Sequence, residues 1–206
     1  GGRRDLAGYS LRRGGWGRAN ALRSKEPFVE KSGTRVRVSE KEWDNRHFWR
    51  VSNAEHLAMS EDCGIVNLSH FSMYDVEGPD HVALLEWLCA AKIGGDNNIG
   101  KGIYTHFLDE EGMVRADFTV IRMADRCRVI DGADAGPRDF QYMRRTAQDK
   151  GFDVTITDVT EKFVTIGIWG PNARTTLQKV VEDPNGLAPE NFPFAAIKPI
   201  RITGKD

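Results

Sequence analysis

The stretch Gly102-Ile103-Tyr104-Thr105-His106-Phe107-Leu108-Asp109-Glu110-Glu111-Gly112-Met113-Val114-Arg115-Ala116-Asp117-Phe118-Thr119-Val120 decides the fold. Two β-rich runs, 102–108 and 114–123, flank Asp109-Glu110-Glu111-Gly112, a sequence suited to a hairpin turn. A third run, Cys127–Asp131, follows after a short break. Strands joined by connections this short lie antiparallel, because a parallel pair needs a long crossover.

Outward from the hairpin, helical and extended patterns alternate. Upstream, Gly78-Pro79-Asp80 opens a helix, with Val82, Leu84, Leu85, Leu88 and Cys89 on its apolar face. Before it, residues 65–76 alternate and read as one strand. A first helix is expected from Asn53, as N-cap, to Cys63, with Gly64 as its stop. Downstream, 137–150 reads as a helix with Phe140, Met143 and Ala147 inward and Gly151 as its stop. Strands are expected at 152–157 and 163–169. A last helix follows Gly170-Pro171-Asn172, and a final strand covers 195–203. The sum is an α+β domain, a mostly antiparallel sheet with helices packed on it.

The chain has 206 residues, 29 Lys plus Arg, 30 Asp plus Glu, and a net charge of −1. No run of about 18 apolar residues exists, which excludes a spanning helix and makes a membrane partner unexpected. No charged-then-apolar leader opens the chain, so no secretory signal is expected. The near-neutral total hides an asymmetry. Residues 1–38 carry ten basic side chains against three acidic ones, +7, which leaves −8 for 39–206. The head also holds Tyr9, Trp16 and Phe28, and reads as an ordered basic arm docking on an acidic neighbour. It lacks a recognition-helix pattern, so nucleic acid is not an expected partner. Residues 1–42 are therefore taken as arm and linker, and 43–206 as the folded domain.

Several chemistries lack their signatures. There is no GxGxxG after a strand, no GxxxxGK[ST], no GxSxG and no HExxH. The cysteines, Cys63, Cys89 and Cys127, are isolated among apolar neighbours. They read as buried small side chains in a reducing compartment, the cytoplasm or, in a eukaryote, the mitochondrial matrix. The five histidines share no ligand spacing, so no metal site is expected. His70 reads as a hydrogen-bonded strand histidine with acid–base chemistry as its alternative. Glu110 and Glu111 read as solvated turn residues.

The motifs then add up to a family. Gly64-Ile65-Val66-Asn67-Leu68-Ser69-His70-Phe71 followed by Gly78-Pro79-Asp80 resembles the opening of the aminomethyltransferase family, the glycine-cleavage T-protein type that binds tetrahydrofolate. Tyr104-Thr105, then Leu108-Asp109-Glu110-Glu111-Gly112, resembles the family's "Y-T-x-x-L-N-E-x-G-G". Ala116-Asp117-Phe118-Thr119-Val120, Arg138-Asp139-Phe140, Trp169-Gly170-Pro171-Asn172-Ala173 and Arg201-Ile202-Thr203-Gly204-Lys205 resemble later motifs in order. Gly15-Trp16-Gly17-Arg18-Ala19-Asn20 is similar to the segment that joins flavin and folate halves in dimethylglycine and sarcosine dehydrogenases.

The resemblance implies the family's folate-binding fold and a tetrahydrofolate pocket with Phe71, Tyr104, Asp117, Gly132 and Lys205 at cofactor-binding positions. It also implies a piece of a longer enzyme that lacks its carboxyl-terminal barrel, with FAD confined to a missing partner domain. Three positions depart from the family. Ala91 stands where the catalytic Asp is, which leaves Asp96, in a longer loop, as the catalytic candidate. Gly132 replaces an Asn, and Lys205 replaces a Glu. The expected function is capture of a one-carbon unit on tetrahydrofolate from a methylated amine or amino acid such as dimethylglycine, sarcosine or glycine. Its partners would be folate, that substrate, and a flavin domain, a barrel domain or another subunit. The alternative is a catalytically degenerate fold kept as an assembly module.

Overall fold

The computed structural model describes residues 9–10, 49–132 and 134–204. The basic arm, residues 1–42, thus lies outside the described residues except for Tyr9–Ser10, and Lys205 lies outside them altogether. The elements in chain order are β1 (Tyr9–Ser10), α1 (Trp49–Glu61), β2 (Gly64–Asn67), β3 (Ser72–Glu77), α2 (His81–Leu88), β4 (Lys101–Leu108), β5 (Val114–Arg122), β6 (Arg126–Asp131), α3 (Gly136–Lys150), β7 (Thr155–Asp158), β8 (Ile166–Trp169) and α4 (Ala173–Leu177). Contacts group them into two compact units. One holds the described residues of Gly1–Asn67 and Ile166–Val181, and the other those of Leu68–Thr165 and Glu182–Asp206.

The first unit contains a three-stranded antiparallel sheet, order β1-β2-β8, with Gly64 facing Trp169 and Asn67 facing Ile166. α1 begins four residues before Asn53, so Asn53 is inside the helix rather than at its cap. Nothing in Trp49-Arg50-Val51-Ser52 breaks a helix, and the Asn capping preference yields to propagation. Gly170 sits at φ 114°, and a Cβ there would meet the Asp62 carbonyl oxygen at 2.4 Å. Glycine is thus what lets the chain turn from β8 into α4.

The second unit contains the five-stranded antiparallel sheet, order β4-β5-β6-β3-β7. The expected α+β architecture, with a sheet carrying packed helices, is what forms. The central hairpin forms at its expected place. Gly112 closes the turn at φ 80°, its N–H donating to the Asp109 carbonyl at 3.0 Å, and the Asp109 side chain accepts from Met113 N–H at 2.8 Å. α2 and α3 cover one face. Leu84, Leu85 and Leu88 from α2 and Met143 and Ala147 from α3 bury Tyr74, Val76, Phe107, Phe118, Val120, Cys127 and Val129 of the strands. The Phe107 and Phe118 rings pack at a tilt of 59° with centres 4.1 Å apart. Burying side chains of this size contributes about 1.5–3 kcal/mol each.

Four expectations about strands need correction. Residues 65–76 form two strands in different sheets. Leu68–Phe71 is a turn closed by Phe71 N–H on the Leu68 carbonyl at 2.9 Å, and the Ser69 hydroxyl accepts from Thr165 N–H at 3.2 Å. Asn67 and Ser69 supply turn chemistry that the alternation masks. His70 is therefore an exposed turn residue, not a strand residue. The strand expected at 152–157 starts only at Thr155, and that expected at 163–169 only at Ile166. The strand expected at 195–203 does not form. Ala195 has φ 63°, Pro199 lacks an N–H, and the segment's backbone bonds here are few: Gly102 N–H of β4 donates to Ala195, and Ile197 N–H donates to Gly100 just before β4.

Candidate functional site

The second sheet face, away from α2 and α3, is where exposed chemistry collects. Thr105 and Phe107 point into the core, so Tyr104 and His106 project from the other side of β4. Across the ladder Tyr104 faces Thr119, and His106 faces Asp117. The Tyr104 hydroxyl reaches diagonally and donates to Asp117 Oδ2 at 3.0 Å. Its ring meets the His106 ring edge-on, centres 5.3 Å apart. Tyr104 is 61% exposed. The hydrogen bond to Asp117 raises its pKa above the usual 10.0, because ionisation would break that bond and set two negative charges together.

The face closes toward β3. Met73 and Asp75 are buried. The Asp75 carboxylate takes a bidentate pair from Arg128, Nε at 2.6 Å and Nη2 at 2.9 Å. Phe163 lies over that guanidinium at 4.1 Å. The same face is thus sealed over β3 and open over β4.

Residues 89–91 run beside β4. Cys89 bridges Phe107, Ala90 N–H donates to the His106 carbonyl at 3.0 Å, and Ala91 N–H to Thr105 Oγ1 at 3.0 Å. Position 91 therefore sits against the strand that carries Tyr104 and His106, but it presents a methyl group. Asp96 opens the turn Asp96–Asn98 and is exposed. Its loop is stapled elsewhere: the Glu86 carboxylate accepts from Ile93 and Gly94, and the Asn98 amide donates to the Gly94 carbonyl at 2.9 Å. Among the described residues no hydrogen bond or ion pair ties the Asp96 side chain to Tyr104, His106 or Asp117.

Gly132 follows β6 with open space where a Cβ would be, its N–H donating to Asp131 Oδ1 at 2.7 Å. Phe71 lies in its turn, edge-on to His70 with ring centres 5.0 Å apart. Of the sequence-nominated residues that are described, a hydrogen bond joins only Tyr104 and Asp117. His106 was missed, although its place two residues from Tyr104 on a strand is the signal that finds it.

A second polar group lies at the start of α3. Asp139 is fully buried and held bidentately by Arg138, Nε at 2.8 Å and Nη2 at 3.1 Å. Asp131 is also buried, and its Oδ2 has no hydrogen-bond donor among the described residues. Burial first, and the Asp139 charge second, push the Asp131 carboxyl up to about 6. Gly136 packs against this cluster, since a Cβ there would sit 2.1 Å from Ser72 Oγ and 2.6 Å from Tyr74 Oη. The cysteines offer no nucleophile: all three are free, and burial pushes Cys89 to about 12 and Cys127 to about 11. No helix among the described residues is long and apolar enough to cross a membrane.

Comparisons with known proteins bear on this geometry. Dimethylglycine dehydrogenase, mitochondrial, of Rattus norvegicus is 28% identical over 158 residues, 76% of this chain and 18% of that protein. The aminomethyltransferase of Bordetella avium is 36% identical over 121 residues, 58% of this chain and 33% of that one. The chain therefore spans a third or less of these relatives. Among solved structures, the glycine cleavage system aminomethyltransferase T from Bartonella henselae aligns with TM-score 0.54 and 24% identity, covering 60% of this chain and 33% of that one, which shows a shared fold. The profile of the GCVT N-terminal domain matches residues 5–206, almost the whole chain, and the chain belongs to that family.

Proposed function

We propose that this chain is the tetrahydrofolate-binding part of a one-carbon enzyme of the aminomethyltransferase type. The observation that carries the reading is the Tyr104–Asp117 pair beside His106 on the open sheet face. Bound tetrahydrofolate would supply the amine nitrogens that take up a carbon at the formaldehyde level. The residues present suit such a guest. Two aromatic rings offer apolar edges and faces to a flat heterocycle, and a carboxylate suits the donor-rich edge of an aminopyrimidine. Tyr104 keeps its proton and holds Asp117 in place, while Ala91 contributes no acid or base. This face is therefore built to bind and orient.

Phe71, Gly132 and Lys205 are proposed as further cofactor contacts and Asp96 as the acid–base group, each carried by its family position alone. The carbon would come from dimethylglycine, sarcosine or glycine, released by a flavin domain, a barrel domain or another subunit. Holding both centres in one assembly raises the effective concentration of a reactive product. The compartment would be the cytoplasm, or the matrix in a mitochondrial protein. The test is anaerobic titration calorimetry of tetrahydrofolate against the 206-residue chain and its Tyr104→Ala variant. Saturable binding, weakened about tenfold or more by the variant, is expected, a loss of about 1.4 kcal/mol. Equal binding by the folded variant, or none by the folded parent, would overturn the assignment.

A further inference from the structure

A groove of about 430 Å³ lies away from the Tyr104 face, between α3 and the outer strand β7. That size is within the range of sites that hold ligands. Phe152, Val154 and Ile156 form its apolar side, and Arg144, Arg145 and Gln148 form its polar side. Among the described residues no carboxylate lines it. Arg144 lies near the Phe140 ring, 5.7 Å from its centre, and both arginines are exposed. Neither has a salt bridge to Asp or Glu among the described residues.

Among the described residues β7 is the last strand of its sheet, and there it pairs only with β3. The register, with Val159 N–H donating to the Met73 carbonyl, makes Asp158 and Tyr74 a non-hydrogen-bonded pair. The backbone N–H and C=O groups of Ile156 and Asp158 therefore point away from β3. The opposite edge differs. β4 is covered by residues 89–91 at one end and by Ala195–Ile197 at the other. An unpaired strand edge is a template for another extended chain.

We infer that the groove is a docking surface for an extended acidic peptide of a partner protein, which adds a strand to β7 and places its carboxylates on Arg144 and Arg145. Charge selects this occupant: the lining carries two guanidinium groups and no acid, although residues 39–206 as a whole are at −8. A strand added to β7 turns one of its two side-chain faces toward α3, and acidic side chains on that face reach Arg144 and Arg145, where an Arg–carboxylate contact can be bidentate.

The experiment is fluorescence polarisation with a labelled Val-Glu-Val-Glu-Val-Glu peptide at 150 mM salt. Saturable binding by the chain is expected, with at least tenfold weakening in the Arg144→Glu/Arg145→Glu variant and unchanged circular dichroism. The same peptide N-methylated at alternate backbone nitrogens is expected to lose binding, which separates strand addition from plain charge attraction. Absence of saturable binding, equal binding by the charge-reversed variant, or equal binding of the N-methylated peptide would each overturn the inference. Tetrahydrofolate titration is a separate readout, expected to be unchanged by the variant, so the two proposals fail independently.

Discussion

Replacing Asp131 by Asn should stabilise the protein at neutral pH, and the gain should grow with pH. Asp131 is 2% exposed, and its Oδ2 lacks a donor among the described residues. Its carboxyl rises from 3.8 to about 6, by burial first and by Asp139 second. A carboxyl raised in the folded state holds its proton there after the unfolded chain has lost it. Folding is therefore progressively disfavoured as pH rises from about 4 to about 6, and the full penalty stands above that range. At about 1.4 kcal/mol per pKa unit, the penalty is roughly 2–3 kcal/mol. The Asn amide keeps the oxygen that accepts from Gly132 N–H and offers Nδ2–H toward Asp139, with no charge to desolvate. Urea unfolding of both proteins at pH 4, 5, 6 and 7.5 measures the difference. The stability gap in favour of Asp131→Asn should widen by roughly 2–3 kcal/mol from pH 4 to 7.5 and level off above about 6.5. A gap that is flat with pH, or that narrows as pH rises, would refute the reasoning, since Asp131 would then be a well-accommodated carboxylate.

Two further perturbations follow from the same sheet. Gly136→Ala places a methyl 2.1 Å from Ser72 Oγ and 2.6 Å from Tyr74 Oη, both buried; overpacking of this kind costs about 1–3 kcal/mol, so the melting temperature should fall despite the better helix former. An unchanged or higher melting temperature would mean that the start of α3 can shift. Asp75→Ala leaves the Arg128 guanidinium, 14% exposed at its side chain, without its bidentate partner, and should cost about 3–5 kcal/mol in urea unfolding. Arg128→Met together with Asp75→Leu should recover most of that loss; a double variant as unstable as Asp75→Ala would show that packing, not the unpaired charge, was responsible.

The five-stranded sheet was legible where alternation and turn chemistry agree. Asp109–Gly112 supplies the turn, Ile103 to Val120 alternates on both sides of it, and the expected hairpin is the one that forms. Legibility failed where a local pattern was read without its partner. Residues 65–76 alternate without a break in sequence, yet Leu68 and Ser69 bond to Thr165, almost a hundred residues away, and the strand is cut in two. The 195–203 stretch is rich in Ile, but Pro199 and the left-handed Ala195 deny it a ladder. Of the site, Tyr104 and Asp117 were each nominated from the resemblance, but their diagonal contact needs the register. The Asp131 and Asp139 pair was hidden because each carboxylate occupies an inward phase, of β6 and α3 respectively, where an apolar residue is the ordinary reading.

The Tyr104–Asp117 contact is hard to explain as a stabilising device. It lies on the exposed end of the sheet face, where a hydrogen bond competes with water and contributes little. The buried end of that face does need its ion pair: Asp75 and Arg128 would be costly to leave alone under Phe163. Two polar contacts on one surface thus answer to different demands. The inner one holds charges that the fold has already buried. The outer one keeps an aromatic ring and a carboxylate in fixed register in the open, at an entropic cost the folded state does not repay through burial. A ligand that covers the ring and pairs with the carboxylate would supply that repayment, which is why ligand binding, rather than stability, is the property in which Tyr104 should matter.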